Sequence, residues 1–244
     1  MYKIIVLIPY YNESYRIDLK RVEEILELSD FGILFIDDGS TDNSSLILHD
    51  FTQDVQNVTF LKLEKNVGKA NALRLGLLWA YSNRYDFAIT LDFDNSQNLK
   101  EITSILNQVE IFKDFDIASW ARVNLASNNV NRTQSRLWIS RILVTISFLI
   151  SKIPLYDPQS PTKVYKLTSK LFELIEKEFE TRWFFDVELF MRSEKNSHSE
   201  IKYKENILNF WNDNSTKSFS GAGTYRVLKD LYKLLYLSIR LKNL

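Results

Sequence analysis

Short apolar runs that each end in polar residues restrict the fold of this chain more than any other feature of its sequence. Such runs cover residues 4–8, 32–36 and 87–91, and two further short strands are predicted at 58–63 and 115–120. Helical spacing is found between them at 18–28, from 40–42 onward and from 66 onward. Continuous apolar strands are typical of a parallel sheet covered on both faces. The chain is therefore predicted to be an α/β protein with a mostly parallel sheet flanked by helices.

Charged residues follow these runs directly or open the next helix, and they define a candidate site. They are Glu13, Asp38, Lys69, Asp92 and Asp94. In an open α/β sheet the carboxyl ends of parallel strands meet at one edge, where ligands bind. We therefore expect these side chains to lie near one another.

The run at 87–91 leads into Asp92 and Asp94, two carboxylates one residue apart. Two close anions repel each other and resist desolvation, so a fold retains them where a cation satisfies them. A hard divalent metal ion that bridges a diphosphate suits this pair. The alternative is a solvated turn rich in Asp and Asn, and the other charged residues at strand ends favour the metal.

Composition excludes several kinds of protein. The 244 residues carry 31 Lys or Arg and 31 Asp or Glu, so no overall field attracts nucleic acid and no nucleic-acid partner is expected. With no Cys and two His, disulfides and a zinc cluster are not expected. The apolar runs are too short for a signal peptide or a membrane span. The lack of Cys fits a reducing, cytoplasmic setting.

Residues 117–156 contain no Asp or Glu and form a predicted cationic surface, with Arg122, Arg132, Arg136, Arg141 and Lys152. Its Asn-rich part, 124–133, is predicted to be a loop. The following part, 137–150, is predicted to be a helix that is apolar nearly all round and lies buried or at an interface.

The C-terminal part is predicted to contain strands at 164–166 and 200–207 and helices at 168–176 and 184–192. The tail 225–244 has helical spacing with five cations and one anion, Asp230, on it. Such a helix can lie on an anionic bilayer; alternatively, it docks on its own domain. We expect one domain at 1–221 and an amphipathic helix at 222–244.

Seven short motifs occur in an order that resembles a known family. They are residues 8–13, 37–42, 66–70, 92–94, 136–141, 157–159 with Lys163, and 182–189. The chain resembles the inverting family 2 glycosyltransferases of GT-A fold over residues 4–217, in particular the branch that transfers hexoses to dolichyl or polyprenyl phosphate.

For the donor, the resemblance implies that Pro9, Tyr11 and Glu13 border the nucleotide. Asp38 would hydrogen-bond the base or ribose, and Lys69 would lie near the diphosphate, unless it is a solvated lysine at a helix start. Asp92 and Asp94 would hold Mg²⁺ or Mn²⁺.

For the acceptor, the resemblance implies that Asp186 is a general base toward a hydroxyl, or that it orients a phosphate, which is already ionised. Arg136, Ser140 and Arg141 would clamp a lipid phosphate. The remaining candidates for acceptor or sugar binding are Gln159, Lys163, Trp183 and Glu188. The alternatives are an ion-paired Asp186 and arginines that snorkel.

The sequence departs from the family at three points. Pro161 replaces a glycine, which affects acceptor or sugar specificity. Residues 95–97 do not supply a clear third metal ligand, and the C-terminal membrane spans of many relatives are not found in this sequence.

The predicted function is metal-dependent transfer of a hexose from a nucleotide sugar, with UDP-glucose favoured, to a polyprenyl-type lipid phosphate at the cytoplasmic face of a membrane. An alternative acceptor is a saccharide hydroxyl in capsule, lipopolysaccharide or glycoprotein assembly. A non-catalytic binding module is a third hypothesis, which the retention of both Asp92 and Asp94 disfavours.

Overall fold

The computed structural model describes residues 2–28, 30–94, 97–131, 134–151, 155–195, 200–212 and 221–242. The side chains of residues 110, 134–137, 139, 151, 221–224, 226, 241 and 242 are also outside this description.

Seven strands form the main sheet of the described chain. In chain order, the strands of the protein are β1 Ile4–Tyr10, β2 Gly32–Asp37, β3 Val58–Lys62, β4 Phe87–Thr90, β5 Ile117–Ala121, β6 Asn129–Asn131, β7 Lys163–Lys166, β8 Tyr203–Ile207 and β9 Phe210–Asn212. The main sheet has the order β3-β2-β1-β4-β7-β5-β8. The mostly parallel sheet predicted from the sequence is confirmed, and all five N-terminal strands lie where the apolar runs predict them.

Eight α-helices connect or flank the strands within the described residues. They are α1 Leu19–Leu26, α2 Ser44–Asp54, α3 Lys69–Ser82, α4 Leu99–Gln108, α5 Gln134–Ser151, α6 Ser169–Ile175, α7 Phe185–Lys195 and α8 Gly221–Lys242. The helix predicted from 40–42 begins at Ser44 instead, because Asp42 lies before it and accepts from the N–H of Ser44 at 3.0 Å.

The two faces of the sheet carry separate cores because side chains alternate along each strand. In β1, Val6 and Ile8 point into a core shared with α1 and α4, whereas Ile5 and Leu7 point into a core shared with α3, α6 and α7. All four are almost completely buried. This two-sided burial explains why the strand is continuously apolar.

Strand β7 runs antiparallel to both of its neighbours, β4 and β5. Its first residue, Lys163, pairs with Thr90, the last residue of β4. The Thr90 hydroxyl donates to the carbonyl of Pro161 at 2.6 Å. An antiparallel strand starts where its neighbour ends, so β7 brings Lys163 to the carboxyl edge of the sheet.

Part of the predicted loop at 124–133 is wrong. Residues 129–131 form β6, which pairs in parallel with β9 in a small second sheet. Val130 is buried in the core with Trp211. A three-residue strand with Asn at both ends has too little pattern to distinguish it from a loop.

Helices α5, α7 and α8 share a third core, in which Leu234 and Leu237 of α8 are buried against Phe184 and Val187. Helix α8 therefore docks on its own domain. None of the helices in the described part of the chain has the length and apolar character that crossing a bilayer requires.

The outward faces of α5 and α8 are also apolar. On α8 the exposed residues recur with helical spacing at Tyr225, Leu228, Tyr232, Leu235, Tyr236 and Ile239. Helix α5, predicted to be buried or interfacial, exposes Trp138, Ile142, Phe148 and Leu149. We call these two sets together the outer apolar stripe.

Candidate active site

The loops that follow β1 and β2 are joined by hydrogen bonds at the carboxyl ends of these strands. Asn12, with a φ of +54°, accepts through Oδ1 from the N–H of Thr41 at 2.8 Å. Its own N–H donates to the Ser40 hydroxyl at 3.0 Å. The Asp37 carboxylate accepts from the N–H of Ser40 at 2.8 Å. These bonds fix the backbone at the edge of the sheet where the candidate site was predicted.

The three residues predicted to border a nucleotide lie at this edge. Pro9 is the next-to-last residue of β1, and Tyr11 follows the strand with an exposed side chain. Glu13 is buried and forms an ion pair with Arg16. Burial lowers the pKa of Arg16, but the contact with Glu13 raises it, and the net effect is a raised pKa. The negative charge of Asp94 adds to the increase. Glu13, Arg16 and Asp94 therefore belong to one electrostatic cluster.

Asp38 holds the loop that leads into α3. Its buried carboxylate accepts from the N–H of Val67 at 2.7 Å and from that of Gly68 at 2.9 Å. Burial raises the pKa of Asp38, and the two N–H donors partly offset this effect. Gly68 has a φ of +90°, and a Cβ there would lie 2.7 Å from Nε of Arg182. The glycine of this motif is thus required by both backbone conformation and close packing.

The loop geometry places Lys69 at the first position of α3, where its ammonium forms an ion pair with Asp92. Both side chains are partly exposed. The pair joins the loop after β4 to the start of α3. This ion pair disagrees with the alternative in which Lys69 is a solvated lysine at a helix start.

Asp92 and Asp94 line one cavity together with Gln97. Within the described residues there is no group of three or more His, Asp or Glu side chains arranged to hold a metal ion. The Gln97 side chain is buried, and its Nε2 has no hydrogen-bond partner in the described part of the chain. The nitrogen and oxygen of a side-chain amide are assigned from their hydrogen bonds. Rotating the Gln97 amide by 180° would therefore place its oxygen where Nε2 now lies.

This donor set fits a hard divalent cation. Mg²⁺ is commonly bound by one or two carboxylates, with phosphate and water oxygens completing the shell. Asp92 and Asp94 supply the carboxylates, and the unpartnered amide of Gln97 supplies a neutral third candidate. The sequence left a third ligand among residues 95–97 open, because the resemblance implies a glutamine one position earlier; residues 95 and 96 lie outside the described residues.

Asp186 is buried at the start of α7 beside Lys163. The Lys163 ammonium lies 3.1 Å from Oδ2 of Asp186 and also donates to the carbonyl of Ser160. The Tyr165 hydroxyl is 3.5 Å from Oδ1 of Asp186. Burial raises the pKa of Asp186, and the Lys163 ammonium opposes that shift. Lys163, predicted to bind acceptor or sugar, is thus the counterion of the candidate catalytic carboxylate.

Glu188 is not available to an acceptor, contrary to its predicted role. Its carboxylate is fully buried and accepts from the N–H groups of Glu180 and Thr181 at 3.0 and 2.9 Å. It also forms an ion pair with Arg192 at 2.7 Å. Both oxygens are therefore engaged, and Glu188 stabilises the turn that precedes α7.

Only part of the predicted phosphate clamp on α5 lies within the residues that the structure describes. Arg136 lies in the first turn of α5, and its side chain is outside the described residues. Ser140 is half-buried one turn later. Arg141 stacks on Tyr156, 3.7 Å from the ring centroid, and donates to the Tyr156 carbonyl at 3.0 Å. The guanidinium of Arg141 is held against the 155–157 segment.

Gln159 and Trp183, the other candidates for acceptor or sugar binding, occupy different surroundings. The Gln159 carbonyl accepts from Arg122 at 3.2 Å. Trp183 is 55% exposed, and its backbone N–H donates to the carboxylate of Asp230 in α8 at 2.8 Å. Trp183 therefore borders α8.

Two arginines act in ways that the sequence did not indicate. Arg122, predicted to be part of a cationic surface, instead forms a two-point ion pair with Asp157 at 2.7 and 3.0 Å. Arg182 donates to the Asn66 side chain at 2.8 Å and so bridges the turn before α7 to the loop before α3. Lys152 and Arg132 lie outside the described residues.

Comparison with protein families and curated proteins identifies similar chains. A model of the family described as Glycosyl transferase family 2 matches residues 5–169. A dolichyl-phosphate beta-glucosyltransferase from Dictyostelium discoideum is 23% identical over 252 residues, which cover 95% of this chain and 73% of that protein. An undecaprenyl-phosphate 4-deoxy-4-formamido-L-arabinose transferase from Enterobacter sp. (strain 638) is 28% identical over 148 residues, 59% of this chain and 43% of that protein. Three of the curated relatives are matched over less than half of their length, 47%, 43% and 39%.

A solved structure of glucosyl-3-phosphoglycerate synthase from Mycobacterium tuberculosis, in complex with Mg²⁺ and uridine-diphosphate, has a TM-score of 0.65. The similarity covers 96% of this chain and 80% of that chain at 16% identity. At this identity the likeness concerns the fold alone, and it confirms the GT-A architecture expected from the sequence.

Proposed function

The chain belongs to glycosyl transferase family 2, and we propose that it transfers a hexose from a nucleotide sugar to a polyprenyl-type lipid phosphate. The observation that carries this proposal is the cluster of Asp92, Asp94 and Gln97 beside Lys69, at the sheet edge where GT-A enzymes bind donors. UDP-glucose is the favoured donor, since the relative matched over 95% of this chain is named as a beta-glucosyltransferase.

In the donor half of the site, the chain's own residues bind and orient the nucleotide sugar. Pro9, Tyr11 and Glu13 border the nucleotide, and Asp38 accepts from its base or ribose. Lys69, held beside Asp92 by their ion pair, supplies a point charge to the diphosphate. Asp92 and Asp94 would hold Mg²⁺ or Mn²⁺, and the bound ion would neutralise the negative charge that develops on the leaving diphosphate.

In the acceptor half, a phosphate monoester needs no general base. Its second pKa is about 6, so it is ionised and nucleophilic at neutral pH. Asp186, fixed by Lys163, then orients the acceptor relative to the anomeric carbon. Arg136, Ser140 and Arg141 hold the lipid phosphate, with Gln159 alongside, and Arg141 leaves Tyr156 to do so.

A second candidate reaction is transfer to a saccharide hydroxyl. The raised pKa of Asp186 favours it, because a carboxylate with a pKa closer to neutrality is a better general base. Pro161, in place of a glycine, also distinguishes this chain from the lipid-phosphate branch that it resembles.

Asp186→Asn separates the two acceptors. With a lipid phosphate we expect kcat to fall modestly, about tenfold, because orientation is lost but the nucleophile stays ionised. With a hydroxyl acceptor, loss of the base is expected to lower kcat about 10²–10⁴-fold. Steady-state kinetics of the purified variant on both acceptors measure the difference, and a large loss with the lipid phosphate would contradict the orienting role.

The donor is tested with a panel of nucleotide sugars and either Mg²⁺ or Mn²⁺. Release of the nucleoside diphosphate by the purified protein is the readout. We expect UDP-glucose to give the fastest release. If no nucleotide sugar is turned over with any acceptor, the proposed function is wrong.

The protein is proposed to act at the cytoplasmic surface of a membrane, through its outer apolar stripe. That stripe is contiguous with cationic side chains on α8, so it matches a bilayer with anionic lipids. We further propose that residues 1–221 are the transferase domain and that 222–244 contribute the membrane-facing helix.

Removing apolar side chains from the outer face of α8 tests this contact. The variant Leu228→Gln, Leu235→Gln and Ile239→Gln is expected to lose most vesicle binding, since each buried aliphatic side chain contributes about 1.5–3 kcal/mol. Its inner face is unchanged, so circular dichroism and the melting temperature should match the wild type. Sedimentation with vesicles is the measurement, and unchanged binding would refute the membrane contact.

A further inference from the structure

A second cavity, of about 260 Å³, lies between α8 and the turn before α7. Its lining residues are Arg182, Trp183, Tyr225, Lys229, Asp230 and Lys233. None of them lines the cavity of Asp92 and Asp94. The two cavities therefore share no lining residue, although Arg182 also contacts the loop before α3 at Asn66 and Gly68.

The lining of this cavity is cationic. It carries three cations and one carboxylate, a net charge of +2. The carboxylate of Asp230 is buried and already accepts from the N–H groups of Arg182 and Trp183 at 2.7 and 2.8 Å. Since one oxygen of Asp230 is engaged by two backbone N–H donors, Asp230 holds the turn before α7 against α8.

The cations differ in what they contact. Lys233 donates to the carbonyl of Glu180 at 2.7 Å, and Arg182 donates to Asn66 at 2.8 Å. Lys229 is exposed and has no hydrogen bond or ion pair with any residue that the structure describes. Lys229 therefore has its full donor capacity available for an anion, and Arg182 and Lys233 line the same cavity.

The walls of the cavity are aromatic and continue into the outer apolar stripe. Trp183 and Tyr225 are 55% and 67% exposed. Leu228 and Tyr232, which directly precede Lys229 and Lys233 on α8, are also exposed. Rings with one polar end are enriched at the level of lipid headgroups, where the apolar part meets acyl chains and the polar end meets water.

We propose that this cavity binds the phosphate of an anionic phospholipid headgroup and thereby holds α8 on the bilayer. The inference rests on the membrane contact of the proposed function, but not on the reaction. The phosphate sits among Lys229, Lys233 and Arg182, and the acyl chains lie along Tyr225, Leu228 and Tyr232. The ligand is a bilayer lipid that is bound but not glycosylated.

The test uses the full-length protein and vesicles of phosphatidylcholine, with or without phosphatidylglycerol. One cation near an anionic surface changes the binding constant about fivefold. Lys229→Glu changes the charge by two units, so it should weaken binding to phosphatidylglycerol vesicles roughly 25-fold. Lys229→Arg should keep wild-type binding. Lys20→Glu, on α1 at the opposite face of the sheet, is the matched control for net charge and should change binding little.

Three results would overturn the headgroup site. The first is an equal loss of vesicle binding in Lys229→Glu and Lys20→Glu. The second is wild-type binding that does not depend on phosphatidylglycerol. The third is displacement of the protein from vesicles by millimolar inorganic phosphate, which would indicate that the ligand is a soluble anion. Turnover of a short, water-soluble prenyl phosphate without vesicles should be the same in Lys229→Glu and wild type; a loss there would place Lys229 in the reaction instead. Binding that depends on Lys229 in a protein without transferase activity would refute the proposed function and leave the headgroup site standing.

Discussion

Asp94→Asn is expected to lower kcat/KM for the nucleotide sugar about 10²–10³-fold, as for loss of a group that stabilises charge in a transition state. Asparagine keeps the shape of the side chain but removes one negative charge from a set of two carboxylates. Within the described residues, no third carboxylate is arranged with Asp92 and Asp94 to hold a metal ion. Metal affinity and stabilisation of the leaving diphosphate should therefore decline together.

The measurement is nucleoside diphosphate release over a range of Mg²⁺ and Mn²⁺ concentrations. The variant should need more metal for half-maximal rate, and EDTA should abolish turnover by the wild type. Asp50→Asn, a highly exposed aspartate on α2, is the matched control and should behave as the wild type. If EDTA and Asp94→Asn both leave turnover unchanged, the metal assignment is wrong.

Lys163→Met is expected to destabilise the protein by about 3–5 kcal/mol, the usual cost of leaving a buried charge without its partner. Lys163 and Asp186 are 2% and 4% exposed, so water cannot replace the lost ammonium. Methionine fills a similar volume, which isolates the electrostatic effect from a cavity. Guanidinium unfolding monitored by fluorescence gives the free energy of unfolding.

The double variant Lys163→Met, Asp186→Leu provides the control for this pair. With both charges removed, most of the lost stability should return, because an apolar pair can replace a buried ion pair at little cost. If the two changes add, or if Lys163→Met alone costs less than about 1 kcal/mol, the ion pair does not hold Asp186 in place.

Most of the N-terminal half of the fold was predictable from sequence because β1, β2 and β4 are buried on both faces. Such strands are continuous apolar runs, and the polar residues after them mark the carboxyl edge of the sheet. The orientation of β7 was not predictable in this way. A four-residue strand has the same local pattern in either direction, and its direction is set by pairing with β4 and β5.

The candidate site likewise contains residues that local sequence patterns indicate and others that only the folded structure reveals. Asp38, Lys69 and Asp92 could be identified because each stands directly after a strand or at a helix start. The pairing of Lys163 with Asp186 and the burial of Glu188 depend on contacts between distant segments, which local spacing does not encode. The two apolar faces of α8 were partly visible in its sequence, but the division into a docked face and an exposed face required the packing of α7.

The central claim is that this site transfers a hexose to a phosphate and not to a hydroxyl. The most direct measurement gives the purified protein UDP-glucose, a divalent metal and two competing acceptors, a polyprenyl phosphate and the matching polyprenol, and identifies the product by mass spectrometry. We predict a polyprenyl phosphate hexose, with loss of the product when EDTA is present. A hexosylated polyprenol, or a product from a saccharide acceptor with none from the lipid phosphate, would contradict the claim.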